Sequence, residues 1–289
     1  QMVRERVGDD PGALSEEQRE RVVDALTPFL ENLDPDNIGN VTVVKAVIET
    51  EDAAPVAARP YRVSPKERDV MRREVAKMLR LGVIRPSRSP WSSLPVLVDK
   101  PDGSKRFCVD YRGVNKVTKV DAMPLPRIDD TLAALQGAKI FSQMDANCGF
   151  WQMGLREEDQ EKTAFSTPDG CWQYTSLPFG LKGASSAYQR MMNTVLAGLT
   201  WQSALVYIDD VTVYSENFDE HIVKLVEVMQ RFKDAGVTLK LTKCKFCITE
   251  MEFLGHVVSG AGIKPSPKKV QAIVDIKLPE NLKEVRGFL

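Results

Sequence analysis

No stretch of this 289-residue chain approaches the roughly 20 apolar residues that a membrane-spanning helix needs. It also opens with no basic-then-apolar leader, so neither a membrane protein nor a signal-led one is expected. A disulfide framework is missing as well: the five cysteines are odd in number and scattered, which fits a reducing compartment. Cys244-Lys245-Phe246-Cys247 has the spacing of half a zinc site, with His256 downstream. There is no second ligand pair, so buried or exposed thiols are the expectation there rather than zinc. The first residue is Gln1 and not Met, so a cut-out or processed piece is expected.

Net charge is nearly absent too, at −1, but the total hides an asymmetry. Residues 1–60 carry 6 Lys and Arg against 13 Asp and Glu, and residues 61–120 carry 15 against 6. The second block, at +9, is a natural phosphate-facing surface whose binding should weaken with salt. Any single cation in it can equally be part of a solvated face. With 43% hydrophobic and 27% charged residues the rest is an ordinary globular chain, long enough for one large or two small domains.

The most informative stretch runs from Leu205 through Tyr207-Ile208-Asp209-Asp210 to Tyr214. Two adjacent acids between β-branched and aromatic runs read as strand, tight turn, strand, with the carboxylates at the tip. Asp-Asp alone is compatible with an ordinary turn, because Asp favours turns on its own account. A third acid changes the weight: Asp145 ends another strand-like run, Ile140-Phe141-Ser142-Gln143-Met144. Strand-borne acids from two distant points are what a two-metal phosphoryl-transfer site needs, with ions about 3.5–4 Å apart clamping the attacking and leaving oxygens.

Tyr207-Ile208-Asp209-Asp210 resembles the Tyr-x-Asp-Asp signature of reverse transcriptases. From about Lys45 onward the chain is similar to the polymerase part of the Pol polyprotein of gypsy-class long-terminal-repeat retrotransposons (Metaviridae). The segments that carry the likeness, in order, are Tyr61 to Pro65, Ile84 to Ser93, Arg106 to Arg112, Pro124 to Asp130, Lys162 to Phe165, Leu177 to Leu181 and Phe253 to His256.

The resemblance implies an α+β right hand. In that frame residues 1–60 are a lead-in packed on the fingers, and 61–119 with 153–183 are the fingers. Residues 120–152 and 184–258 form a palm whose antiparallel sheet bears the carboxylates, and 259–289 begin a truncated thumb. The implied activity is RNA-directed DNA polymerisation, adding deoxynucleotides to a primer. Its metal ligands and catalytic groups would be Asp145, Asp209 and Asp210, holding two Mg²⁺ ions, with Mn²⁺ as a substitute. Implied partners are an RNA or DNA template with its primer strand and deoxynucleoside triphosphates, with no membrane. A dimer, or a link to ribonuclease H and integrase parts absent here, is compatible, and the setting would be cytoplasmic retrotransposon particles.

Site roles follow from the same likeness. Lys100 and Arg106 flank the turn of a fingers hairpin and would meet the triphosphate, Arg106 being the more directional because guanidinium binds phosphate bidentately. Gly149, Phe150, Phe179 and Gly180 would line the nucleotide pocket, with Phe150 under the sugar, where its ring would collide with a ribose 2′-hydroxyl. Arg112 would fix the template strand, or simply pair with Asp110. Phe253, Leu254, Gly255 and His256 would form the primer-grip turn. The family's Asp-Leu-x-Ser-Gly-Tyr-His-Gln-Ile reads here as Asp145-Ala146-Asn147-Cys148-Gly149-Phe150-Trp151-Gln152-Met153, and its Thr-Asn-Ala-Pro as Lys182-Gly183-Ala184-Ser185. A catalytically weak or silent relic that binds nucleic acid is the alternative; the three retained acids argue against it.

Along the chain, residues 1–14 read as disordered. Ser15-x-x-Gln18 and Ser64-x-x-Glu67 have capping-box form, and Ser266-Pro267 opens a further helix. The first helix carries Val22, Val23, Leu26 and Leu30 with Pro28 interrupting, and the second Val70, Val75, Met78 and Leu79. Val41 to Ile48, Val96 to Val98 and Arg106 to Val109 read as strands, the last two joined across a turn containing Asp102-Gly103. Tyr188, Met191, Met192 and Val195 face inward from one helix, and Ile222, Leu225, Val226, Met229 and Phe232 from another that ends at Gly236. A period-two strand over Val237, Leu239 and Leu241 follows, and another helix begins at Leu282.

Overall fold

The computed structural model describes residues 3–8, 14–30, 36–100, 103, 105–119 and 123–275. Its organising element is a four-stranded antiparallel sheet in the spatial order Lys245–Ile248, Ile140–Asp145, Asp210–Ser215, Ala204–Tyr207. Val, Ile, Tyr and Phe dominate these runs, as a half-buried pleated surface favours. Because side chains alternate across a strand, the sheet serves two cores. Met144, Val206, Val211 and Val213 face the larger one, shared with the helices Ala184–Val195 and Phe218–Ala235. Phe141, Leu205 and Ile248 face a smaller one with Leu132, Leu135, Phe253 and Val258. Phe141 is wholly buried at the centre of the sheet, so its truncation to alanine should cost about 3–5 kcal/mol.

Around this sheet stand smaller ones, giving a mixed α+β architecture. A hairpin of Leu94–Asp99 and Lys105–Asp110 forms one, and Ile84–Pro86, Gly170–Tyr174 and Phe165–Thr167 another. Glu250–Phe253, His256–Ser259 and Gly262–Pro265 form a three-stranded meander. The helix Pro65–Arg80 begins with the expected capping box, both arms of which are made. Its buried stripe is Met71, Val75 and Met78; Leu79 is exposed, because the inward face lies one residue away from the expected Val70–Leu79 line. No helix among the described residues is long and apolar enough to cross a membrane.

The N-terminal part differs most from expectation. Residues 3–8, expected to be disordered, are anchored: Val7 is buried and bridges Phe246 in parallel, and the Arg19 guanidinium donates to the Val7 carbonyl. A polar, glycine-rich composition hid one well-placed valine. Helix Glu16–Leu30 runs through Pro28 without a break, since a proline so near the end removes only one hydrogen bond of the last turn. This helix packs on Phe218–Ala235, in the segment expected to be palm and not the fingers expected for the lead-in. Strand Val41–Ala46 pairs in parallel with Met153–Leu155. The period-two run Val237, Leu239, Leu241 is buried in alternation but forms no strand; it holds an isolated bridge, Ala146 to Leu239, and a 3-10 turn, Leu241–Lys243. The helix expected from Leu282 and residues 101, 102 and 104 of the Asp-Gly turn lie outside the described residues.

Candidate active site

Strand pairing brings the three acids together. In register, Asp145 lies opposite Asp210, and Asp210 opposite Tyr207, which leaves Ile208 and Asp209 as a two-residue turn at the same end of the sheet. Directly opposed residues have Cβ atoms about 4.5–5.5 Å apart and share a face. That face is the one of the smaller core, since Asp145 and Asp210 have the parity of Phe141 and Tyr214. The turn is strained: Ile208 has φ 57, while Asp209 has no positive φ. A left-handed first turn residue is normally Gly, and for a β-branched one it is an outlier held by its surroundings.

Gln189 supplies the hold. Wholly buried on the helix Ala184–Val195, its Oε1 accepts the Ile208 N–H at 2.7 Å, while its Nε2 donates to the Val206 carbonyl at 3.1 Å and to Asn193 Oδ1 at 3.0 Å. One side chain therefore pins both the strand and the turn that carry Asp209 and Asp210. Nothing in the sequence marks it, because a lone polar residue inside an apolar helical stripe has no periodic signature.

Electrostatically the site is short of positive charge. Although Asp210 as a residue is exposed, desolvation about its carboxyl raises its pKa, and the charges of Asp209 and then Asp145 add to the rise. Lys243 offsets part of this: from the 3-10 turn its Nζ donates to Asp145 Oδ2 at 2.8 Å, and that bond raises the lysine's own pKa. The backbone of the same segment returns to the strand, Lys240 N–H donating to the Asp145 carbonyl at 2.8 Å. Lys243, too, was not legible in advance, as it lies 98 residues from its partner. Among the described residues no three acidic, His or Cys side chains converge closely enough to enclose an ion as they stand. An all-oxygen set of three carboxylates with an ammonium already seated on one of them nevertheless fits hard divalent cations.

Beside the acids, Gly149–Gln152 forms a 3-10 turn entered through Cys148 in left-handed conformation, φ 53. Phe150 is buried, in ring contact with Phe179 and Tyr188. Phe179 and Gly180 sit on a loop clamped by Asn115, whose Nδ2 donates to the Gly180 carbonyl and whose Oδ1 accepts the Lys182 N–H, each at 2.8 Å. Asn115 is a further residue that sequence reasoning missed. Phe150 and Phe179 are thus in contact with each other, and the tie between this cluster and the acids runs through Tyr188, whose pKa is raised by burial first and then by the charges of Asp209 and Asp145.

The remaining expected residues stand elsewhere. Lys100 and Arg106 lie on the separate two-stranded hairpin, and Arg106 has no ion pair among the described residues, whereas its neighbour Lys105 pairs with Asp99 at 2.6 Å. Arg112 lies against Asp110, with Nε to Oδ1 at 2.9 Å and Nη2 to Oδ2 at 2.7 Å, while its side chain stays 87% exposed. Leu254 and Gly255, φ 49 and 75, form the turn between Phe253 and His256, and Lys269 donates to the Leu254 carbonyl at 3.3 Å. This turn is linked to the acid-bearing strand through Gln143, which donates to the Glu252 carbonyl at 2.9 Å. Cys244 and Cys247 are buried free thiols, pushed up by burial to about 11 and about 12.

Comparison with known proteins adds an independent line. A family described as reverse transcriptase (RNA-dependent DNA polymerase) matches residues 98–258. The chain is 40% identical over 254 residues to the retrovirus-related Pol polyprotein from transposon opus of Drosophila melanogaster, covering 86% of this chain and 25% of that one. It is 38% identical to the corresponding polyprotein from transposon gypsy of the same organism, covering 86% and 24%. The chain therefore spans about a quarter of the length of the curated relatives it matches. In fold it is similar to the foamy viral protease-reverse transcriptase in complex with double-stranded DNA, at TM-score 0.86 and 24% identity, covering 95% of this chain and 48% of that one. The same viral protein in complex with an RNA/DNA hybrid gives TM-score 0.84 at 24% identity, covering 95% and 37%.

Proposed function

The chain belongs to the reverse transcriptase (RNA-dependent DNA polymerase) family, and from that premise we propose that it adds deoxynucleotides to a primer 3′ end on an RNA or DNA template. The observation that carries this reading is the register: Asp145 opposite Asp210, with Asp209 at the adjoining turn. In the reaction the primer 3′-hydroxyl gives up its proton to solvent and its oxygen forms a bond to the α-phosphorus of the incoming triphosphate. The bond from that phosphorus to the bridging oxygen breaks, and pyrophosphate leaves. Divalent ions bound by Asp145, Asp209 and Asp210, Mg²⁺ with Mn²⁺ as a substitute, would lower the pKa of the 3′-hydroxyl and neutralise the departing phosphates.

The protein's own groups do the rest. Gln189 fixes the turn, so the acids keep one geometry through turnover. Lys243 balances Asp145 and adds positive charge to a place where phosphate charge builds up. Phe150 and Phe179 form the apolar wall against which sugar and base would lie, and Arg106, with Lys100, would reach the triphosphate from the hairpin. Sequence choice is left to base pairing, so contacts to template and primer by Arg112 and by the turn Phe253 to His256 would go mainly to the backbone. As a piece of a Pol polyprotein the chain would work within cytoplasmic retrotransposon particles, as a dimer or linked to ribonuclease H and integrase parts.

Primer extension on an RNA template with Mg²⁺, run beside Asp209→Asn, tests the proposal. Wild type should extend, and the variant should lose roughly a hundredfold or more, the scale on which a single charge-stabilising group acts. Equal extension by both, or none by either while both bind duplex, would support the relic reading instead.

A further inference from the structure

Three aromatic rings lie in line next to Gly149. Phe179, 55% exposed, is tilted at 50° on Phe150 with centroids 4.8 Å apart, and Phe150 is stacked at 23° on Tyr188 with centroids 5.0 Å apart. Tyr188 is wholly buried, and its hydroxyl has no hydrogen-bond partner among the described residues. Burial, then the charges of Asp209 and Asp145, raise its pKa, so the hydroxyl keeps its proton. A buried hydroxyl without a partner is a net cost, and a phenylalanine would pack there more cheaply unless the oxygen fills a space that must be filled.

That space belongs to Gly149. A methyl group placed on Gly149 would lie 2.7 Å from the Tyr188 hydroxyl oxygen, closer than such atoms pack, and 3.2 Å from its Cζ, a tight contact that a shift of a few tenths of an ångström relieves. The backbone of Gly149 itself is not left-handed, whereas that of Cys148 is. Glycine at 149 is therefore demanded by its neighbour and not by its own conformation.

Resting on the polymerase reading above, we propose that Tyr188 is the positioning residue that fixes the seat of the Phe150 ring, its hydroxyl taking the volume of the side chain that Gly149 lacks, and that this pair sets how firmly the pocket rejects ribonucleotides. Phe150 follows Gly149 directly and stacks on Tyr188, so it is held both through the backbone and face to face. An apolar pocket separates a hydroxyl from a hydrogen only weakly, so rejection depends on where the ring stands. Removing one oxygen beneath it lets the ring settle and opens room for a 2′-hydroxyl.

The test uses four proteins: wild type, Tyr188→Phe, Gly149→Ala and the double variant. Each is measured by thermal unfolding and by single-nucleotide primer extension with matched deoxy- and ribonucleotides. Gly149→Ala should lower the melting temperature when Tyr188 is intact and much less when it is combined with Tyr188→Phe, because the methyl then occupies the vacated volume. Tyr188→Phe should lower the deoxy-to-ribo ratio of kcat/KM about fivefold, or about 1 kcal/mol, and the double variant should recover it. Tyr174→Phe, which removes another buried hydroxyl remote from the pocket, should leave the ratio unmoved. Additive melting shifts, or a ratio that moves no more in Tyr188→Phe than in Tyr174→Phe, would overturn the proposal. Failure of wild type to extend at all would count against the polymerase reading itself.

Discussion

Lowering the pH should loosen the sheet that carries the acids through one buried histidine. His221, on the helix Phe218–Ala235, is wholly buried between Ser142 of the Asp145 strand and Ser215 of the Asp210 strand, with Nε2 to Ser142 Oγ at 2.7 Å and Nδ1 to Ser215 Oγ at 3.0 Å. Ser215 Oγ donates to the Asn217 carbonyl, so Nδ1 carries the proton and Nε2 accepts from Ser142. A second ring proton, on Nε2, would take away the acceptor of the Ser142 hydroxyl, whose oxygen already accepts the Cys247 N–H at 3.0 Å. Burial, with Lys224 second, accordingly depresses the pKa from 6.5 to about 3. Between those values the unfolded chain takes up a proton that the folded chain refuses, so stability falls as pH falls. The loss is about 1.4 kcal/mol per pH unit below 6.5, or about 2 kcal/mol at pH 5 relative to pH 7.5, and it levels off near pH 3. Urea unfolding of wild type and His221→Gln at pH 7.5 and 5.0 measures it. The variant has nothing to titrate at this position and should lose about 2 kcal/mol less between the two pH values. Equal losses in the two proteins would refute the reasoning.

Three further outcomes follow from the site. Gln189→Leu keeps the volume but leaves the Ile208 N–H and Val206 carbonyl unpaired, at about 1–3 kcal/mol each; urea midpoints should drop and primer extension should drop further than in an equally destabilised core variant, and retained extension would mean that the strands alone hold the turn. Lys243→Ala removes the cation that competes for Asp145, so Mn²⁺ titrated by calorimetry into the protein alone should bind up to roughly fivefold more tightly, an exposed ion pair being worth about 1 kcal/mol at most; weaker binding would show that the lysine helps to assemble the site. Phe150→Val should raise ribonucleotide incorporation in single-nucleotide extension, and an unchanged ratio would remove Phe150 from the sugar pocket.

Local signals were readable from the sequence and long-range ones were not. The hairpin with Asp209 and Asp210, the strand ending at Asp145 and both capping boxes rest on interactions within a few residues, and each forms as expected. Gln189, Lys243 and Asn115 act across 19, 98 and 65 residues, respectively, and none sits in a periodic pattern. Val237, Leu239 and Leu241 show the limit from the other side: alternating burial was legible, but whether a neighbouring strand would be there to pair with was not.

The parallel pairing of Val41–Ala46 with Met153–Leu155 bears on where a self-sufficient fragment begins. Just past that strand, the Ile48 N–H donates to buried Asp159 at 3.1 Å and Lys162 donates to the Ile48 carbonyl at 2.6 Å, fastening the early chain to the segment that follows Met153–Leu155. The match to the family model opens at residue 98, although relatives align with 86% of the chain. A gene trimmed to that boundary would expose a raw β-edge three residues from Phe150 and strip Asp159 of a donor, inviting edge-to-edge aggregation. Expression boundaries for this chain are therefore better drawn ahead of residue 41 than at residue 98.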